Sequence, residues 1–230
     1  MKYLAIIPAR KGSKRLKNKN IKKFNNKPLI YWTIQSALKS KCFDKIFVST
    51  DSTTIQKIAK KFKIECPYLR KPSLAKDKSS SHDVIKDVIN YYKKNKYFPD
   101  AVALLQPTSP LRDANDIKTS CKIFKKLKAD SLVSVVQVPH NYNPRNLYLF
   151  KKNILKPITK NNSLNSRLKT KKFYARNGAS IYITKANKLG KYILGGKIVG
   201  YRMSPLKSLD INNIDDFKLA EKTQKILKIN

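Results

Sequence analysis

Histidine, glycine, cysteine and acidic residues are all scarce in this sequence, and each scarcity removes a class of chemistry. With only His82 and His140 among 230 residues, there is little material for histidine-based metal ligation or a Ser-His-Asp triad. The six glycines form no Gly-x-Gly-x-x-Gly, and no Gly-x-x-x-x-Gly-Lys-Ser/Thr run occurs, so neither a dinucleotide fingerprint nor a Walker A loop is available. Cys42, Cys66 and Cys121 are odd in number, far apart in sequence and without a Cys-x-x-Cys pair. Neither a disulfide framework nor a zinc site is expected, and reduced thiols fit a cytoplasmic protein. No apolar run approaches the roughly 20 residues of a membrane span. Residues 1–9 begin like a signal peptide, but the basic stretch 10–19 follows directly without a cleavage site.

Acid is outnumbered by base, 14 residues to 51, for a formal charge of +37. Such an excess raises phosphate-rich partners as a hypothesis. The basic residues are overwhelmingly lysines spread through every segment, including one helix face at Lys57, Lys60, Lys61 and Lys63. That spread reads as a global bias toward lysine, so no dedicated nucleic-acid interface is expected. An apolar share of 41% is ample for a core, and the length fits a single domain, residues 1–230.

Short apolar runs predict strands at 4–7, 45–49, 101–105, 131–138, 180–184 and 198–202. Between and after them, helical spacing predicts helices at 28–38, 53–62, 81–94, 113–127 and 213–227, the first with Pro28 in its opening turn. This alternation predicts an α/β fold, a mainly parallel sheet with helices on both faces. Ligands of such sheets sit beyond the carboxyl ends of the strands. The segment 139–175, rich in Asn, Lys and Pro with interspersed aromatics, breaks the pattern; insertions of this length are lids or arms that order on another chain.

Four segments carry candidate chemistry. Strand one runs into Pro8-Ala9-Arg10-Lys11-Gly12-Ser13-Lys14, with Lys19 and Asn20 following; loop amides at Gly12 and Ser13 with Arg10, Lys14 and Lys19 have the composition of a phosphate cradle. Leu105-Gln106-Pro107-Thr108-Ser109-Pro110-Leu111-Arg112 ends a strand in a turn fixed by two prolines, presenting Gln106, Thr108 and Ser109 at the sheet edge. Arg176 and Asn177 sit just before a strand, and Asp210-Ile211-Asn212 precedes the last helix.

In this order the segments resemble the CMP-nonulosonic acid synthetases, the acylneuraminate cytidylyltransferase family. The opening motif matches at Ala9, Arg10, Gly12, Ser13, Lys14, Leu16, Lys19 and Asn20, the middle motif at 105–112 without a gap, and the likeness spans about residues 6–221. It implies a Rossmann-like nucleotidyltransferase with 139–175 as an inserted dimerisation arm of a homodimer. It also implies a reaction in which the anomeric hydroxyl of a nine-carbon sugar acid attacks the α-phosphate of CTP and expels pyrophosphate. No protein nucleophile is then needed, and catalysis rests on alignment and neutralisation of charge. The resemblance puts Ala9, Arg10, Gly12, Ser13, Lys14 and Lys19 at the nucleotide, with Lys19, Arg10 and Asp210 catalytic. It puts Gln106, Ser109, Arg176 and Asn177 at the sugar, and Asp210 at a Mg²⁺ ion.

Two departures from the family pattern stand out. The usual Asp-x-Asp is Asp210-Ile211-Asn212 here, so the second metal position offers an amide oxygen without charge. Asp215 and Asp216 are alternative ligands, but acids in the first turn after an Asn213 cap also suit the helix dipole. Arg176 lies one residue later than in many members. CMP-Kdo synthetases share the opening loop but carry an acidic Gly-Asp-Glu-Pro type motif in the middle, which ranks them second. A non-catalytic, Lys-rich nucleic-acid-binding domain is the reading from a different class.

Overall fold

The computed structural model describes residues 1–158, 172–178, 180–190 and 192–228. In chain order the strands and helices are β1 (Tyr3–Pro8), β2 (Lys23–Phe24), β3 (Lys27–Pro28), α1 (Leu29–Ser40), β4 (Lys45–Ser49), α2 (Thr53–Lys61), α3 (Ser81–Lys94) and β5 (Ala101–Leu104). There follow α4 (Ala114–Lys126), β6 (Ser131–Gln137), β7 (Tyr148–Lys151), β8 (Ile154–Pro157), β9 (Tyr174–Arg176), β10 (Tyr182–Lys185), β11 (Ile198–Arg202) and α5 (Ile214–Leu227). The expected alternation is present, with Pro28 capping α1 from outside. None of these helices is long and apolar enough to cross a membrane.

The central sheet runs β11-β6-β10-β5-β1-β4. Pairings of β1 with β4 and β5, and of β11 with β6, are parallel, whereas β10 lies antiparallel between β5 and β6. Alternation of side chains across the pleat gives each strand one residue set per face. Ala5, Ile7, Ala103 and Ile183 pack with Ile30, Ile34, Ile55, Ile117 and Phe124 on the face covered by α1, α2 and α4. Leu4, Ile6, Val102 and Leu104 pack with Ile85, Val88, Ile89 and Tyr92 of α3 on the other. Coverage of both faces is why these strands read as continuous apolar runs. Cys42 and Cys121, distant in sequence, meet here, and burial together with Cys42 raises the Cys121 thiol pKa.

Along β6 the partner strand is interrupted: Arg176 of β9 faces Val135 and Tyr182 of β10 faces Val133. Only Ser134 therefore lies between those two pairings on β6, and Asn177, Gly178, Ser180 and Ile181 belong to a bulge on the partner side. Ser134 clamps the bulge: its hydroxyl donates to Asn177 Oδ1 (2.7 Å) and accepts from the Ile181 amide (2.9 Å).

The insertion is less irregular than its composition suggests. Residues 148–157 form the β7/β8 hairpin, turning at Lys152 (φ 47°) and Asn153 (φ 62°). Two left-handed residues match the twist of a two-residue hairpin, but Lys-Asn is a weak signal beside Asn-Gly, and so the turn was hidden. The central part of the insertion, 159–171, lies outside the described residues.

Candidate active site

The loop after β1 is held by its two ends. Ala9, fully buried, donates its amide to the Ser49 carbonyl (2.9 Å), and Asn20 Nδ2 donates to the Arg10 carbonyl (2.9 Å). Leu16 is buried in a third apolar cluster with Phe24, Leu29, Leu111, Ile211 and Phe217. Between these anchors Arg10, Gly12, Ser13, Lys19 and Asn20 face a cleft of about 240 Å³ beyond the carboxyl ends of β1 and β5. Gly12 has open space where a Cβ would stand and no positive φ, so its place in the loop is not a matter of backbone strain.

Three residues that sequence reasoning passed over also build this cleft. Arg70 is 6% exposed, and its guanidinium donates to the Ser49 carbonyl and, at 2.9 Å, to Ser49 Oγ. Burial lowers its pKa, opposed by Asp51. Asp77 bridges Arg10 Nη1 and Lys14 Nζ, both at 2.6 Å, and those two bonds hold its carboxyl below the usual range. Lys76 completes the rim. All three come from the loop between α2 and α3, whose Pro- and Lys-rich composition marks a loop but gives no sign that it folds over the one after β1.

The 105–112 turn lies against the same cleft, lined by Gln106, Pro107 and Thr108. Ser109 faces away: it is fully buried and its Oγ has no hydrogen-bond partner among the described residues. Arg112 lies behind the turn, 1% exposed, donating to the carbonyls of Ser180 (2.7 Å) and Gln106 (3.4 Å) and to Thr33 Oγ1 (2.8 Å). Burial pushes its pKa down to about 10, with Asp116 and Asp113 opposing the shift. This arginine positions the turn. Truncating it orphans buried carbonyls at about 1–3 kcal/mol each.

The 208–212 segment meets both preceding motifs through one residue. Ile211 donates its amide to the Thr108 carbonyl (2.8 Å) and accepts from Lys19 Nζ at 2.7 Å. Burial lowers the Lys19 pKa, with Asp210 opposing the shift. Asp210 Oδ2 accepts from Asn212 Nδ2 (3.1 Å), while Asp210 Oδ1 is buried with no partner among the described residues. Gly178 in the bulge makes room for this carboxylate: its φ is +65°, and a Cβ there would lie 2.8 Å from Asp210 Cγ.

Asn177 and Arg176 differ sharply. Asn177 is 4% exposed and ties the bulge to the segment through Ser208 Oγ (2.9 Å) and to the end of β11 through Met203 Sδ (3.2 Å). Arg176 is exposed, and neither residue lines the cleft. Asp216 is committed to the cap of α5, accepting from the amides of Asn212 (2.8 Å) and Asn213 (3.1 Å), and Asp215 is exposed. Among the described residues no three His, Cys, Asp or Glu side chains gather as a metal cage. The donor set for a cation is thus one orphaned carboxylate oxygen with an amide beside it. That set suits an oxygen-loving divalent ion taking its other ligands from a phosphate chain and water.

A mainly parallel sheet carrying a largely cationic cleft at its carboxyl edge, with Asp77 in the lining and Asp210 near Lys19, defines an α/β protein of the nucleotidyltransferase type. The cytidylyltransferase family profile matches residues 4–228, and the chain belongs to that family. It is similar to the N-acylneuraminate cytidylyltransferase of Escherichia coli O18:K1:H7, 36% identical over 228 residues that cover 95% of this chain and 51% of that protein. An N-acylneuraminate cytidylyltransferase of Streptococcus agalactiae serotype III is 34% identical, covering 94% of this chain and 52% of its own length. The CMP-N,N'-diacetyllegionaminic acid synthase of Legionella pneumophila is 43% identical over 135 residues, 59% of this chain and 58% of that protein. The chain thus spans about half the length of the two N-acylneuraminate cytidylyltransferases, 51% and 52%. Among solved structures, CMP:2-keto-3-deoxy-manno-octonic acid synthetase complexed with CTP matches with a TM-score of 0.72 over 99% of this chain and 100% of that one. At 16% identity that likeness shows the fold alone.

Proposed function

We propose that the chain transfers CMP from CTP to the anomeric hydroxyl of a nonulosonic, sialic-type acid. The hydroxyl oxygen attacks the α-phosphorus, the bond to the bridging oxygen breaks, pyrophosphate leaves with that electron pair, and the hydroxyl proton passes to solvent. The observation that carries this reading is the convergence of Arg10, Lys19 and Arg70 on one cleft, with the Asp210 carboxylate bordering Lys19. Two mutually repelling anions must be brought together there, so fixed cations are the main catalytic requirement. Arg10, Lys14, Arg70 and the Gly12 and Ser13 amides bind the triphosphate, and Lys19 stabilises charge that develops at the α-phosphate. Gln106 contacts the sugar. The buried Ser109 and Asn177 fit positioning roles better than direct contact, and Arg176 would reach substrate only from outside the cleft.

Mg²⁺ when bound would neutralise phosphate charge, with Asp210 as its carboxylate ligand and Asn212 Oδ1 beside it. We also propose a cytoplasmic homodimer formed through the β7/β8 hairpin, whose Leu149, Phe150, Ile154 and Leu155 are 58–70% exposed. An apolar patch of that kind on a charged protein marks an interaction surface. The test is pyrophosphate release from CTP and Mg²⁺ with a panel of N-acetylneuraminic, legionaminic, pseudaminic and Kdo acids. Release dependent on a nine-carbon acid supports the proposal. Turnover with Kdo alone, or salt-sensitive retention on DNA without any turnover, would replace it.

A further inference from the structure

A second, larger concavity lies away from the cleft, between the tip of the β2/β3 hairpin and the outer face of α5. Its volume is about 900 Å³ and it shares no lining residue with the cleft. Asn25 and Asn26, at φ 44° and 67°, form the hairpin tip. Asn25 fastens that tip to α5: its amide donates to Glu221 Oε1 (2.9 Å), and its Nδ2 donates to the Glu221 carbonyl (3.0 Å) and Gln224 Oε1 (2.6 Å).

Lys23, Lys218, Lys222, Lys225 and Lys228 surround the space, with Trp32 on one wall. Spacings of four and three residues put Lys218, Lys222 and Lys225 on one helix face. Among the described residues no carboxylate pairs with any of the five, whereas Lys14, Lys45, Lys185 and Lys207 all have acidic partners. Glu221, the only acid in the lining, is turned to the hairpin amide. Like charges gathered in a concavity repel one another, and the arrangement gains most from an anion between them.

Gln224 gives the space a built donor. The residue is 3% exposed, its Oε1 is occupied by Asn25, and its Nε2 is buried without an acceptor among the described residues. An unmade bond of that kind costs about 1–3 kcal/mol unless a ligand atom completes it.

We propose that this concavity is a second anion site, taking a ligand with several phosphate-type oxyanion groups on the α5 lysines and the Gln224 amide. Trp32 is the only tryptophan in the chain, so its fluorescence reports on this wall without labelling. The experiment titrates the full chain at low salt with inorganic tripolyphosphate, following Trp32 emission and heat of binding. Two variants are compared, Lys222→Gln/Lys225→Gln and Gln224→Leu, with Lys57→Gln/Lys61→Gln on α2 as a control for general charge. Melting curves establish that each is folded.

A saturable Trp32 change is expected. Its midpoint should move roughly tenfold or more in the α5 double variant, since two contacts of about 1 kcal/mol each are lost. The Gln224 variant should also weaken, and the α2 control should not. Heat alone can come from the cleft, so the proposal is overturned by absence of a saturable Trp32 emission change, by equal weakening of that change in the α2 control, or by an unchanged midpoint in the Gln224 variant.

Discussion

Lys19 is where the proposed chemistry separates most cleanly from folding, because its Nζ serves both. One bond, 2.7 Å to the Ile211 carbonyl, ties the first loop to the 208–212 segment. The net value of such a bond is about 1 kcal/mol, or roughly 2–4 °C of melting temperature in a domain of this size. A charge acting on the transition state is worth more, about 3 kcal/mol or 10²-fold in rate. Lys19→Ala should therefore lower turnover by about 10² while shifting the melting point by a few degrees. Lys19→Gln isolates the charge, because its amide can still donate to Ile211. Its melting point should lie close to the parent while its turnover stays near the alanine level. The assays are steady-state pyrophosphate release and calorimetric unfolding.

The pH profile gives an independent reading. Burial lowers the Lys19 pKa, so the active, charged form is lost on the alkaline side before ordinary lysines titrate. Stability moves oppositely: with a folded value below the unfolded one, the unfolded chain holds more protons in that window, and Lys19's contribution rises with pH. Parent-like turnover in Lys19→Gln would refute the role of the charge.

Asp210→Ala should abolish activity at any practical Mg²⁺ concentration. Asn212→Asp exchanges the 3.1 Å bond to Asp210 for two adjacent carboxylates, so it should lower the melting point without metal, recover it with Mg²⁺ and reduce the Mg²⁺ needed for half-maximal rate; no change in either quantity would move the metal elsewhere. Gly178→Ala, at φ +65° with Asp210 Cγ 2.8 Å from the new Cβ, should cost about 1–3 kcal/mol in denaturant unfolding and cut activity in parallel, whereas parent-like values would deny the close approach. Leu149→Asp/Phe150→Asp should convert the dimer to a folded monomer by light scattering; a monomeric parent at micromolar concentration would dispose of the dimer itself.

The sequence by itself determined most of the sheet, its helices and the loops that border the cleft. Patterns of apolar residues are local and follow the period of each element, so β1, β4 and β5 and all five helices could be read before folding. The resemblance located the first loop, the 105–112 turn and Asp210 in the same way. What it could not determine was which side chains from separate segments meet. Arg70 and Asp77 reach Arg10 and Lys14 only because the loop after α2 folds over the one after β1. Burial, which depends on every neighbouring element, turned Ser109, Arg112 and Asn177 inward and left Arg176 exposed. Capping committed Asp216 to the start of α5. Tertiary structure alone left Asp210 Oδ1 and Gln224 Nε2 buried without partners among the described residues, because an unsatisfied polar atom is a property of everything around it.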